Sequence, residues 1–243
     1  MQYKKLIPAA TAIATLGLAS LAFALSATDY SLFDSAHYIS PGNASARAVQ
    51  LVSDNAQADG GIDYAIGSAP LTVADLTNLS TDYRFDAGSC GGGSPRFQVN
   101  VQTPSNGVKN IFVYIGPPPN YTGCPANVWA NTSNLVTPAS LVDATQLGGA
   151  FYEPWSAAVA AYGTYPVVGI QLVADGGWAF PSTGQTVDVD NTMINSTTYT
   201  YEVPVATAKD ECKNGGWQNL NDNSGHAFKN QGDCVSFTAS GKN

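Results

Sequence analysis

Residues 96–115, RFQVNVQTPSNGVKNIFVYI, decide the fold class of this chain. Phe97, Val99 and Val101 alternate with polar residues, which is the period of a β-strand with one buried face. Residues 110–115 form a more continuously apolar run, as a central strand of a sandwich would, and a Pro- and Gly-containing segment separates the two runs. This stretch therefore predicts two strands.

The same alternation of apolar and polar residues in short runs extends over residues 28–206, which we interpret as one domain. Lys and Glu, the usual surface residues of helices, are scarce in the middle of the chain, and only 12% of all residues are charged. Short apolar runs separated by Gly and Pro clusters predict an all-β fold, a two-sheet jelly-roll-like β-sandwich. Further predicted strands are residues 48–52, 62–66, 71–75, 82–85, 167–174, 186–190 and 197–203.

One or two short helices are expected to interrupt the strands. Residues 141–147 are predicted to be helical, because Thr137 and Pro138 resemble an N-cap and a first helical position. Residues 154–162 form the second predicted helix, in which Trp155 lies on the apolar face and is expected to pack in the core.

The N-terminal 24 residues are predicted to be a signal peptide. Lys4 and Lys5 precede an apolar run, and Ala22, Phe23 and Ala24 provide an A-x-A cleavage site. An uncleaved anchor is the alternative, but the run is barely long enough to span a bilayer. We therefore expect a secreted or cell-surface protein with no stable membrane insertion after cleavage.

The acidity of the chain argues against some classes of partner. Removal of residues 1–24 takes away two lysines and no acidic residue, so the net charge moves from -8 to -10. A chain with this charge is repelled by phosphate backbones and by anionic lipid, which excludes nucleic acid as an expected partner.

Four cysteines remain after cleavage, and an even number in an exported chain predicts two disulfides. Three connectivities are possible, and pairing of nearest neighbours, Cys90 with Cys124 and Cys212 with Cys234, is the default. A zinc site is the alternative, but the chain has no C-x-x-C motif and only two histidines. Residues 207–243 are too few for a core of their own, so we predict a hairpin-like tail stapled by its disulfide, either free or docked on the sandwich.

Residues 167–195, VVGIQLVADGGWAFPSTGQTVDVDNTMIN, resemble the closing strands of jelly-roll domains of the galactose-binding or carbohydrate-binding-module type. An apolar strand ends in an Asp, a glycine–aromatic loop follows, and the last strand carries a V-D-N pattern. The matching positions are Asp175, Trp178, Asp190 and Asn191. The resemblance implies the sandwich fold, whereas function has to be argued from the site itself.

The tail carries a second resemblance. Residues 212–237, CKNGGWQNLNDNSGHAFKNQGDCVSF, resemble a C-terminal segment that recurs in a family of uncharacterised exported bacterial proteins, and residues 85–99 resemble the same family. This likeness implies export and brings no known activity with it. The positions that carry it in the tail are Cys212, Gly215, Gly216, Trp217, Phe228, Asn230, Gly232 and Cys234.

A sugar-binding surface is the first candidate site. Trp178 lies in GGWAFP, residues 176–181, a loop that can expose an aromatic ring. Flat aromatic faces stack on sugar rings, so we predict a platform of Trp178, Phe180 and Trp129 with Asp175 beside it. The alternative is that these rings cap the end of the sandwich.

A calcium site is the second candidate. Asp188 and Asp190 alternate with valines, so their carboxylates lie on one strand face about 7 Å apart. Asp175 joins them if its strand end is adjacent, and carboxylate oxygens suit Ca²⁺. The alternative is a solvated polar face, because the chain has no EF-hand-like loop.

Catalytic motifs are weak. His37 and His226 lie near no nucleophile motif, and Glu153 and Glu202 have no evident partner carboxylate. The glycine run GSCGGG lacks the Lys-Ser/Thr of a phosphate loop. Arg96 beside it is expected to pair with Asp86 across a turn, and the alternative is that it faces a ligand.

Taken together, these patterns predict a non-catalytic protein that binds extracellular carbohydrate or another cell-surface ligand. A structural or adhesive surface protein is the alternative, in which the tail makes the contact. A glycoside hydrolase or lyase is a third interpretation, and it requires two carboxylates in one cleft.

Overall fold

The computed structural model describes residues 30–66, 70–105, 107–202, 204–222 and 228–240. The predicted signal peptide and His226 lie outside these ranges. Within them, no helix is long and apolar enough to cross a membrane.

β-Strands are the main regular secondary structure of the described residues. The strands are β1 (Tyr30–Asp34), β2 (His37–Ile39), β3 (Ala48–Ser53), β4 (Gly60–Tyr64), β5 (Leu79–Ala87), β6 (Arg96–Gln102), β7 (Val108–Tyr114), β8 (Ala130–Asn131), β9 (Leu141–Val142), β10 (Glu153–Pro154), β11 (Val167–Ala174), β12 (Gln185–Ile194) and β13 (Thr197–Tyr199). The α-helices are α1 (Trp155–Tyr162) and α2 (Gln231–Ala239), and 3-10 turns occur at Val73–Asp75, Thr145–Leu147, Gly177–Ala179 and Gly216–Asn219.

Two antiparallel sheets form a β-sandwich. One sheet has the strand order β1-β4-β11-β6-β7, and the other has the order β2-β3-β12-β5-β8 with β13 beside β12. Strands β9 and β10 form a separate short ladder. The chain passes repeatedly from one sheet to the other, as in a jelly roll, so the predicted all-β sandwich is confirmed.

The core lies between the sheets and follows the predicted alternation. Phe97, Val99 and Val101 of β6 are fully buried, and so are Val187 and Val189 of β12. Each such side chain contributes about 1.5–3 kcal/mol by leaving water. The intervening positions on the same strands are polar, and they form the outer faces of the sandwich.

Residues 71–75, predicted as a strand, contain instead the 3-10 turn Val73–Asp75. The carboxylate of Asp75 accepts hydrogen bonds from the backbone N–H and the hydroxyl of Thr72, at 2.9 and 2.7 Å. These bonds satisfy the free N–H at the start of a helical turn, and they favour that turn over extended backbone.

Residues 141–147, predicted as a helix, are also different in the structure, because they divide between β9 and a 3-10 turn. Asp143 explains the break. Its backbone pairs with that of Phe112, and its Oδ1 accepts from the N–H and the hydroxyl of Thr145 at 2.9 and 2.6 Å. Such local bonds of Asp compete with a helix.

The second predicted helix is confirmed as α1. Trp155 at its start is 4% exposed and packs in the core, as expected. The helix begins directly after Pro154, and Gly163 follows its last residue.

The described part of the tail contains the 3-10 turn Gly216–Asn219 and the helix α2, so the hairpin-like prediction is wrong. Asn230 caps α2 by accepting the N–H of Asp233 at 3.0 Å, and the backbone N–H of Lys229 donates to the Asp233 carboxylate at 3.1 Å. The tail has a small apolar cluster of its own, built around buried Phe228 and Ala206.

The predicted nearest-neighbour disulfide connectivity is confirmed. Cys90 pairs with Cys124 in the sandwich, and Cys212 pairs with Cys234 inside the apolar cluster of the tail. Trp217 packs against that cluster.

Candidate functional site

The loop between β11 and β12 presents Trp178 to solvent. This residue lies in the 3-10 turn Gly177–Ala179, and 74% of its surface is exposed. The turn is anchored to the six-stranded sheet, because the N–H of Gly177 donates to the Ser53 hydroxyl at 2.9 Å. The indole is therefore held outward by an ordered turn.

A glycine run brings Trp178 and Tyr114 to the same loop. Gly92 and Gly93 have φ angles of +65° and +80°, a region that favours glycine. A Cβ at Gly92 would lie 2.9 Å from Cζ2 of Trp178, and one at Gly93 would lie 3.3 Å from Cε1 of Tyr114. The absence of side chains at these two positions allows both rings to approach the loop.

Two further contacts support this loop. Cys90 comes directly before the run and ties it to Cys124. Phe180, predicted as a second platform ring, is half-buried, and a Cβ at Gly91 would lie 3.3 Å from its Cζ. Phe180 therefore packs under the loop and adds little exposed ring surface.

Arg96 and Asp175 form an ion pair beside the loop. Nη1 and Nη2 of Arg96 donate to the two carboxylate oxygens of Asp175 at 2.6 and 2.7 Å. Nη1 also donates to the carbonyl of Gly93, Nη2 donates to Gln98, and the guanidinium lies 4.8 Å over the ring of Phe112. Arg96 is thereby fixed, and it orients a carboxylate that is 35% exposed.

The expected pairing of Arg96 with Asp86 is wrong. Asp86 lies on β5 in the other sheet, where it pairs with Arg84 at 3.0 Å. Arg96 lies on β6, next to β11 and its following residue Asp175.

Tyr114, which is 6% exposed, connects the glycine loop to two further aromatic residues. Tyr114 contacts Phe151 and Tyr152, with ring centroids 6.1 and 6.0 Å away, and Phe151 is 56% exposed. The Tyr114 hydroxyl donates to Asp143 at 2.8 Å, and burial raises its pKa, so it remains a protonated donor. We call Trp178, Tyr114, Phe151, Tyr152 and Asp175 the loop platform.

Phe151 and Tyr152 were not among the predicted site residues. Their signal in the sequence is similar to that of Trp178, because they follow a pair of glycines, Gly148 and Gly149, after one intervening residue, Ala150. Tyr152 has a φ of +60°, an uncommon conformation for a bulky residue that places its ring against Tyr114.

A row of planar polar side chains crosses the outer face of the five-stranded sheet next to the loop platform. Gln98 donates to Gln171 at 3.1 Å, and Gln171 donates to Asp63 at 2.6 Å. Together with Asp175, these groups offer ordered donors and acceptors to a polyhydroxylated ligand.

Asp188 and Asp190 lie on one face of β12, as predicted, but neither is open to solvent. Asp188 accepts from Nη2 of Arg84 at 2.5 Å and from Gln50 at 2.8 Å. Burial raises the pKa of the Asp188 carboxyl, and the hydrogen bond from Gln50 and the charge of Arg84 oppose that shift.

Asp190 is held by uncharged donors. Its carboxylate accepts from the backbone N–H of Asn43 at 2.8 Å, the hydroxyl of Ser45 at 2.6 Å and the backbone N–H of Asn191 at 2.7 Å. Burial raises the pKa of the Asp190 carboxyl, and neighbouring Asp82 adds to the rise.

The expected shared calcium site is corrected by this geometry. Asp175 follows β11 in the five-stranded sheet and pairs with Arg96, whereas Asp188 and Asp190 belong to the other sheet and have their own partners. In the ranges that the structure describes, no group of three or more His, Cys, Asp or Glu side chains is placed to hold a metal ion.

Trp129 does not join Trp178. It lies next to β8, at the edge of the six-stranded sheet, where the guanidinium of Arg84 lies 5.2 Å over its ring. The predicted three-ring platform is therefore divided between the two sheets.

The residues considered for catalysis are engaged in local contacts. His37 is exposed, with Nδ1 2.9 Å from the carbonyl of Ser35. Glu153 accepts the N–H of Ala150, and Glu202 accepts the N–H of Arg47.

Comparison with known proteins adds a distant structural likeness. No protein-family model and no curated protein matches the chain. The chain is similar to a solved structure titled "Structural analysis of an exo-beta-agarase", with 11% sequence identity and a TM-score of 0.33 over 76% of this chain. It spans about a quarter of that chain, 25%, and a likeness at this level carries no argument about activity.

Proposed function

We propose that this protein is a secreted, non-catalytic module that binds extracellular carbohydrate on the loop platform. The observation that carries the proposal is the exposed indole of Trp178, which is seated on a glycine loop that leaves room for it. An ordered, flat apolar ring at the surface is the group that stacks on the C–H face of a sugar.

The neighbouring groups suit hydroxyls. Asp175 is exposed by about a third, and Arg96 fixes both of its oxygens, so the remaining lone pairs are aimed before a ligand arrives. Phe151 and Tyr152 extend the apolar surface beyond Tyr114. Groups that are already ordered lose little entropy on binding, which favours affinity.

The proposed location outside the cell is supported by two properties of the chain. Two disulfides are typical of proteins from oxidising compartments. The strong negative charge keeps an exported protein soluble, and it favours a neutral ligand over an anionic one.

A glycan array with the purified protein tests this function, with and without Ca²⁺. We expect Trp178→Ala to weaken binding about tenfold or more, since an aromatic anchor is worth on the order of 1–2 kcal/mol. Val108→Ala is the matched control, because Val108 is also an exposed apolar side chain, 54% exposed, and lies at the opposite end of β7 from Tyr114.

Three outcomes contradict the proposal. Equal binding by the wild type and Trp178→Ala would show that the loop platform is not the binding site. The absence of any bound glycan would favour the structural or adhesive function. Turnover of a bound polysaccharide would favour the hydrolase or lyase interpretation.

A further inference from the structure

The outer face of the six-stranded sheet repeats the chemistry of the loop platform with different residues. Arg84 on β5 lies 5.2 Å over the ring of Trp129 and pairs with Asp86 and Asp188. On the other sheet, Arg96 lies over Phe112 and pairs with Asp175. Each sheet therefore carries an arginine that is stacked on an aromatic ring on one side and ion-paired with aspartate on the other.

The two arginines differ in the donors that they leave free. Arg84 donates from Nε to Asp86 at 3.0 Å and from Nη2 to Asp188 at 2.5 Å. Its Nη1 makes no hydrogen bond to any residue that the structure describes, and it is not among the buried polar atoms that lack a partner. Because the Arg84 side chain is 26% exposed, this nitrogen presents two N–H donors to solvent beside Trp129.

The acceptors of this face are also in place. The Asp86 side chain is 37% exposed. Gln50 on β3 donates to Asp188 on β12 at 2.8 Å and to Asp86 on β5 at 3.3 Å, so it links the carboxylates of two neighbouring strands. The face thus combines a half-buried indole, a fixed pair of donors and an accessible carboxylate.

The local charge indicates what kind of molecule fits. One guanidinium faces two carboxylates, so the face has a net charge of about -1 when all three groups are ionised, and it repels phosphate, sulfate and carboxylate ligands. A neutral polyol with adjacent hydroxyls can accept from Arg84, donate to Asp86 and contact the exposed part of the Trp129 indole, one face of which lies under the guanidinium.

We propose that Trp129, Arg84 and Asp86 form a second saccharide site, separate from the loop platform, and that the protein bridges two stretches of neutral polysaccharide. We call these three residues the Trp129 site. Its class of ligand rests on the proposed function, whereas its position rests on the geometry of Arg84.

Cross-linking of soluble polysaccharides tests the second site. The purified protein is titrated into laminarin, dextran, arabinogalactan and xylan, with heparin as the anionic comparison, and light scattering is recorded beside binding by calorimetry. We expect the wild type to cross-link a neutral polysaccharide with two sites per chain. We expect Trp129→Ala and Trp178→Ala each to keep one site and lose the cross-linking, because a single site cannot bridge.

The Arg84→Lys variant tests the Trp129 site with a substitution that we expect to leave the fold intact. Lysine keeps the positive charge for Asp86 and Asp188 and loses the planar fork and the stacking on Trp129. We expect this variant to melt within a few degrees of the wild type and to bind at the Trp129 site about tenfold more weakly.

The outcomes separate this proposal from the first one. Cross-linking that survives both Trp129→Ala and Arg84→Lys overturns the second site, and so does complete loss of binding in Trp178→Ala alone. Complete loss in Trp129→Ala and Arg84→Lys, with Trp178→Ala unchanged, supports a saccharide site at Trp129 but overturns both the loop platform and the bridging of two polysaccharide stretches. Preference for heparin overturns the neutral ligand class, and no binding at all overturns both proposals.

Discussion

At the scale of single residues, the loop platform depends on a position that has no side chain. Gly92 has a positive φ, and a Cβ at this position would lie 2.9 Å from Cζ2 of Trp178. The aromatic residue can be recognised in the sequence, but whether its ring can lie against the loop depends on the glycine beneath it. Phe180, two residues from Trp178, likewise packs against a glycine of this loop, Gly91. It is half-buried there and therefore supports the loop instead of presenting its ring to a ligand.

Gly92→Ala is expected to displace the Trp178 ring and to weaken carbohydrate binding. The substitution costs about 1 kcal/mol of backbone strain, and its Cβ also meets the indole at 2.9 Å. Gly123→Ala is the matched control, because Gly123 has a φ of +78° and nothing within 4 Å of its Cβ position. Both variants should lose similar stability in urea. If the two variants also bind glycans equally well, the space that Gly92 leaves under the Trp178 ring has no role in binding.

Asp190 leads to a prediction about pH. Its folded pKa is raised by burial, so the protonated form is favoured in the folded state. Its contribution to stability is therefore fully present below its unfolded pKa of about 3.9, and it is lost as the pH rises through the raised folded pKa. Asp190→Asn removes this titration, so the melting temperature of the variant should gain less than that of the wild type as the pH falls from 7 to 4. Parallel curves for the two proteins would contradict this prediction.

At the scale of elements, local patterns predicted the strands and missed the short helical turns. The alternation in residues 96–101 has the period of a strand, and this period can be recognised in the sequence without knowing the neighbouring strand. Val73–Asp75 and α2 begin instead with side-chain caps, Thr72 with Asp75 and Asn230 with Asp233. A Thr or Asn followed three residues later by Asp is a signature of a helix start, and it was present in the sequence.

Long-range pairing could not be predicted in the same way. Arg96 and Asp175 are 79 residues apart, and they meet because β6 and β11 are neighbours in a particular register. The division of Trp129 and Trp178 between two sheets has the same origin, since strand order is set by the packing of the whole sandwich. The sequence therefore indicated which residues suit a ligand and left open which of them share a surface.

At the scale of the whole molecule, the tail has the contacts of an appendage that is docked on the sandwich. Its apolar cluster is separate from the main core. One contact between the two is made by Arg47, which is buried and donates from Nη2 to the carbonyl of Asp222 at 3.3 Å. A tail with its own cluster and its own disulfide can lose its structure without opening the sandwich.

Cys212→Ser combined with Cys234→Ser is expected to unfold the tail alone. The disulfide closes a loop with a sequence separation of 22, and it is worth about 3 kcal/mol in the chain-entropy model. The apolar cluster of the tail is too small to replace that contribution. Limited proteolysis followed by mass spectrometry should show new cleavage after residue 206 only, while carbohydrate binding and the melting of the sandwich stay as in the wild type. Cleavage that spreads into the strands, or loss of binding, would mean that the docked tail is part of what holds the sandwich and its two outer faces in place.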